Sequence, residues 1–176
     1  SSFDTKVDFA TGSQPMSIAV GDLDNDGKVD IAVAVLSAKF VSLFRNTSTA
    51  GVAFTSGSLS TRTDIPANYV WDIAINDLNG DGKLDIATSN WSSNSVSVFR
   101  NTVTSGTISS GAFTTASFAT YQDFGANTNM VGMTIGDLDG DGKPDLVSGS
   151  YSDNALGFYR FYSNTPPTIT SFTPTS

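Results

Sequence analysis

Three stretches of this chain crowd oxygen-bearing side chains into nine residues each. The first reads Asp22-Leu23-Asp24-Asn25-Asp26-Gly27-Lys28-Val29-Asp30. The second reads Asp77-Leu78-Asn79-Gly80-Asp81-Gly82-Lys83-Leu84-Asp85, and the third Asp137-Leu138-Asp139-Gly140-Asp141-Gly142-Lys143-Pro144-Asp145. Acidic or amide side chains fill positions 1, 3, 5 and 9, and Gly fills position 6. That pattern describes an oxygen cage for Ca²⁺, a hard cation that takes six to eight oxygens at about 2.3–2.6 Å. The side-chain ligands expected are Asp22, Asp24, Asp26 and Asp30; Asp77, Asn79, Asp81 and Asp85; and Asp137, Asp139, Asp141 and Asp145. The backbone carbonyls of Lys28, Lys83 and Lys143 complete the expected set, giving three ions, with the lysine side chains directed to solvent. The bland alternative is a solvated acidic turn. It is disfavoured because carboxylates crowded into one tight turn repel one another without a cation. Asn79 lowers the charge of the second loop by one, which predicts the weakest site there.

The loops depart from an EF-hand. Position 12 holds Val33, Thr88 or Ser148 instead of a bidentate Glu, and strands flank the loop instead of helices. Zinc is disfavoured because the chain has no His and no Cys. Their absence, with that of Glu, also removes the usual general bases and the most reactive nucleophile, so the chain reads as non-catalytic.

Net charge is −8, and eleven of the 17 acidic residues lie in the three loops, so the acidity is chiefly metal-site charge. It argues against nucleic acid, which needs a basic footprint. No apolar run approaches membrane-spanning length. No targeting segment is visible at Ser1, and the chain reads as a mature or excised segment. Lacking Glu and rich in Ser, Thr, Val, Phe and Gly, it favours strands and turns over helix.

Alternating apolar residues predict a strand running into each loop: Met16, Ile18 and Val20; Trp71, Ile73 and Ile75; Val131, Met133 and Ile135. A second strand follows each loop at 31–35, 86–89 and 146–149, and a third at 41–45, 96–100 and 156–160. Outer strands are predicted at Thr61–Ile65 and Ser117–Tyr121, and at Phe3–Phe9 ahead of the first copy. The result is all-β: three four-stranded antiparallel units of propeller-blade type, about 10–65, 66–121 and 122–164, with 3–9 an orphan outer strand. Residues 165–176 read as a linker or the start of a following domain. Three blades are too few to close a ring.

Two further patterns recur. Leu36, Trp91 and Tyr151 share one register position, with Trp71 and Tyr69 nearby. They suit either sugar stacking or, more simply, contact between neighbouring blades. Arg45, Arg100 and Arg160 share another, which reads as a structural rung bonding a neighbouring carbonyl or Asp, with an anion groove as the alternative.

The blocks Ser17-Ile-Ala-Val-Gly-Asp-Leu-Asp-Asn-Asp-Gly-Lys-Val-Asp-Ile-Ala and Val96-Ser-Val-Phe-Arg-Asn resemble FG-GAP/VCBS-type repeats over roughly residues 3–164. The tail bears a short resemblance to an immunoglobulin-like module. The first resemblance implies a calcium-bearing, integrin-α-like propeller module of a secreted or cell-surface protein, bacterial in origin, used for adhesion, display or assembly. It does not fix a ligand, because function lives in sites. Two alternatives stand beside it: a lectin-like propeller that binds glycan, and a non-catalytic segment of a larger secreted enzyme. The expected partners are other blades of a longer chain, or another copy exchanging the Phe3–Phe9 strand to give a dimer or fibre. Neither nucleic-acid binding nor membrane insertion is expected.

Overall fold

The computed structural model describes residues 5–104, 108, 111–161 and 170–172. Among them the period-two runs form twelve strands: β1 Pro15–Gly21, β2 Asp30–Val35, β3 Phe40–Phe44, β4 Thr63–Pro66, β5 Val70–Asn76, β6 Asp85–Asn90, β7 Ser95–Phe99, β8 Gln122–Gly125, β9 Met130–Gly136, β10 Asp145–Ser150, β11 Ala155–Arg160 and β12 Thr170–Phe172. They assemble into three antiparallel meanders, β1-β2-β3-β4, β5-β6-β7-β8 and β9-β10-β11-β12. Among the described residues the three sheets do not close into a ring.

Each acidic loop joins the first strand of a sheet to the second. Asp30, Asp85 and Asp145 each open that second strand and pair with Gly21, Asn76 and Gly136 at the end of the first. A bulge recurs in all three first strands, leaving Met16, Trp71 and Val131 outside the regular pairing.

The pleat gives every sheet two faces, and the sheets stack in chain order. The face of the first sheet carrying Ala32, Ala34, Val41 and Leu43 packs against Ile73, Ile86 and Phe99 of the second. The opposite face of the second, with Ala87, Val96 and Val98, packs against Met133, Leu146 and Tyr159 of the third. Small residues meet large ones across both seams, the interdigitation that a dense core requires. Gly21 sits where the approach is closest: a Cβ there would lie 2.9 Å from Ile75 and 2.9 Å from Leu84. One carboxylate ties all three sheets. Asp72 on β5 accepts from the Ser17 hydroxyl through Oδ1 and from the Met133 N–H through Oδ2, the latter at 2.7 Å.

Three strand expectations need correction. Thr5–Phe9 is not a strand; Phe3 lies outside the described residues. Phe9 instead lays its ring edge-on to Phe44 and Phe54, over the outer face of the first sheet. The outer strand of the second sheet is Gln122–Gly125, not Ser117–Tyr121. Residues Thr115–Ser117 form a 3₁₀ turn and Phe118 bridges Asn101, both ahead of the ladder. The register is set by Asp123, which accepts from Ser97 as Asp64 accepts from Ser42 in the first sheet. The outer place of the third sheet is taken by Thr170–Phe172, within the tail read as a linker.

Candidate metal centre

The three loops share one backbone course. Positions 4 and 6 both have positive φ in every copy: Asn25 (56°) and Gly27 (85°), Gly80 (76°) and Gly82 (81°), Gly140 (78°) and Gly142 (81°). Gly adopts this conformation freely, and Asn is among the residues that tolerate it best. The doubled reversal wraps the turn around the position-1 carboxylate. Asp22, Asp77 and Asp137 accept N–H groups from positions 5 and 6 at 2.8–3.2 Å. At position 7 the N–H groups of Lys28, Lys83 and Lys143 donate to Asp26, Asp81 and Asp141 at 2.9, 3.0 and 3.0 Å. The three position-7 lysines are half-buried, and the Lys143 ammonium lies 3.9 Å from Asp141.

Position 9 forms the floor of each loop. Asp30, Asp85 and Asp145 are fully buried. Asp30 accepts from Leu23 N–H at 2.9 Å and Asn46 N–H at 2.8 Å. Asp85 accepts from Leu78 N–H at 3.2 Å and Asn101 N–H at 2.7 Å. Burial pushes both carboxyls up to about 6; those N–H bonds pull against the shift, and the neighbouring loop aspartates add to it. Asp145 accepts from Leu138 N–H at 3.1 Å, but its buried Oδ1 has no hydrogen-bond partner among the described residues. Phe161 stands there in place of the asparagine.

Ligand oxygens of Asp22, Asp24 and Asp30 lie within 4.8 Å of one another, as do those of Asp137, Asp139 and Asp145. Among the described residues the second loop has no such group of three, since Asn79 replaces the third carboxylate. Position 5 lies outside both groups. Arg45 bonds Asp24 through Nε and Asp26 through Nη2, the second at 2.7 Å. Arg160 reaches Asp139 at 2.7 Å and Asp141 at 2.9 Å. Desolvation pushes the Asp141 carboxyl up, but the Arg160 guanidinium, the Lys143 N–H and the charges of both side chains together hold it below its ordinary value. Arg100 is exposed and makes no ion pair among the described residues; Asn79 Nδ2 donates to Asp81 at 3.2 Å instead. The repeated arginine is thus a rung bonding Asp in two copies of three.

The donor set suits a hard divalent cation. It is all oxygen and clustered in two copies, and the third loop holds a buried carboxylate oxygen that lacks a donor. Asn46 and Asn101 were not singled out by sequence reasoning. Asn101 Nδ2 donates to Leu84 O at 2.9 Å and to Leu23 O of the neighbouring loop at 2.7 Å, linking loops one and two. The signal was the Arg-Asn dipeptide after the third strand of copies one and two.

At the opposite end of the sheets, Trp71 stacks on Trp91 at 4.6 Å and Trp91 lies 6.1 Å from Tyr151. Trp71 and Trp91 thus cover each other's faces within the second sheet, while Tyr151 of the third is tilted to Trp91 and 70% exposed. Lys39 sits 4.0 Å over the Tyr69 ring.

Comparison with known proteins agrees with the repeat. A family model described as an FG-GAP-like repeat matches residues 1–33 and 77–148, more than half of the chain and all three acidic loops. No curated protein matches the chain.

Proposed function

Since this chain belongs to the FG-GAP-like repeat family, we propose that it is a non-catalytic, calcium-stabilised repeat module of a secreted or cell-surface bacterial protein, serving adhesion, display or structural assembly. The observation that carries the reading is the buried aspartate at the floor of each loop, set beneath acidic side chains at the same end of every sheet. Asp22, Asp24 and Asp30 would hold one ion and Asp137, Asp139 and Asp145 another. Asp77, Asn79, Asp81 and Asp85 would hold the third, and Asp26 and Asp141 would contribute from position 5. A bound Ca²⁺ would supply the positive charge that offsets the mutual repulsion of these carboxylates and the burial of those at the floor.

The protein's own part is to hold these oxygens ready. Turn amides fix the position-1 carboxylate, floor amides fix position 9, and arginine fixes positions 3 and 5 in two loops. Loops held by their metal then lock the ends of adjacent strands, which makes the module a rigid spacer or platform. Among the described residues no helix is long and apolar enough to cross a membrane. The stacking of Trp71 on Trp91 favours a packing role for those two rings over a glycan platform.

The test is calorimetry of the chain with Ca²⁺ and with excess chelator. Each site adds roughly 2.7 kcal/mol at a hundredfold excess of ion over Kd. The melting temperature is expected to fall strongly on chelation. A transition indifferent to chelator refutes the calcium reading.

A further inference from the structure

The two internal seams of this molecule pair unlike faces, and each end of the stack leaves part of one member of that pair uncovered. Ile73 of the second sheet is 5% exposed because the first sheet covers it, while Ile18, its counterpart in the first sheet, is 64% exposed. Val20 beside it is 60% exposed. At the other end, Val41 and Val96 are fully buried under the next sheet, while Leu156, at the same register position in the third sheet, is 69% exposed. Around Leu156 lie half-buried Val147 and Phe158, in the places of Ala32 and Leu43 in the first seam. The N-terminal segment covers part of the first sheet's outer face through Phe9 and Gly12, near Val35, Phe40 and Phe44. It leaves the β1 portion open.

A stack that ended at these faces would be expected to cap them with polar residues. Both instead present aliphatic side chains, and the two surfaces differ in the same sense as those that already fit together inside the chain. We propose that these faces are the two halves of a heterologous self-interface: the Ile18/Val20 face of one copy seats on the Val147/Leu156/Phe158 face of a second copy, repeating the internal seams. The interface differs from strand exchange, because Thr170–Phe172 already occupies the outer place in the third sheet. A head-to-tail contact closes into a ring if its rotation permits and extends as a filament if it does not.

The experiment uses the full chain in saturating Ca²⁺, with mass measured by light scattering on a sizing column at tens of micromolar. The wild type is expected at twice the single-chain mass or more. Ile18→Asp and Leu156→Asp, both at exposed positions, are each expected to run at the single-chain mass and to keep a cooperative calcium-bound melt that no longer depends on protein concentration. Mixing the two variants leaves one intact copy of each face and is expected to restore a one-to-one dimer that grows no further. A monomeric wild type overturns the proposal and leaves these faces to further sheets of a longer chain. Loss of association in Ile18→Asp but not in Leu156→Asp overturns it in favour of a symmetric contact. Failure of the two folded variants to combine overturns it as well.

Discussion

Loops one and three carry four aspartates and close an arginine over two of them; loop two carries three aspartates and leaves Arg100 in solvent. Counting carboxylates alone ranks loop two the weakest. With the guanidinium included, each loop has a net charge of −3, leaving aside the half-buried Lys that all three share. The difference lies instead in how each carboxylate is held. In loop two, Asn79 takes over both jobs, occupying position 3 and donating to Asp81. The floor varies independently: loops one and two satisfy both floor oxygens with amides, and loop three leaves one bare. A repeat can therefore keep its metal-binding pattern while exchanging the contacts that support it.

The largest test of this contrast is at the floor. Asp85→Ala orphans two buried N–H groups, Leu78 and Asn101, and is expected to cost about 3 kcal/mol in chelator, since each unsatisfied buried group costs roughly 1–3 kcal/mol. Asp145→Ala removes one bond and also removes a bare buried oxygen, so its cost is expected to be about 1 kcal/mol or less. Urea unfolding of both variants measures the gap, and equal losses break the comparison.

The next effect is pH dependence. Asp30 and Asp85 have carboxyls raised to about 6 by burial, above the unfolded value of 3.8. The native state then binds more protons than the unfolded state between those values, so stability falls as pH rises through that window. In chelator the melting temperature is expected to be higher near pH 4.5 than near pH 7. In Ca²⁺ the order reverses, because the ion binds the ionised carboxylates. Asp30→Asn with Asp85→Asn is expected to flatten the chelator profile; thermal melts across pH show whether it does.

The smallest effect separates the arginines. In chelator, Arg45→Gln breaks contacts to both Asp24 and Asp26 and is expected to cost about 1 kcal/mol. Arg100→Gln is expected to change stability by less than about 0.5 kcal/mol. Comparable losses at both positions would remove the distinction between the loops.

Much of this was legible in sequence where side chains repeat with a period. The loops, the strands flanking them and the all-β class follow from Asp spacing and alternation. Position 6 was readable as Gly; the left-handed residue at position 4 was hidden because Asn25 stands where the other copies have Gly. The outer strand of the second sheet was misplaced because Phe118 and Tyr121 give that stretch the aromatic content of a strand, whereas both pack into the core shared with the first sheet. Asp123, aligned with Asp64, would have corrected it. The course of Thr5–Phe9 over the first sheet and the return of Thr170–Phe172 depend on tertiary contacts with no local signature. The pairing of Arg45 and Arg160 with their loops was anticipated only as a class of contact, since register places the guanidinium but not its partner.

Asp72 changes how such an array should come apart. Units that touch only their neighbours unfold as a linear chain, with the ends fraying independently of the middle. Here the carboxylate on β5 accepts from Ser17 on one side and from Met133 on the other. Loss of either outer sheet exposes a partner that the other still uses. Both bonds draw on one carboxylate of the middle sheet, and melting is expected as a single cooperative transition in place of a stepwise peeling from the ends.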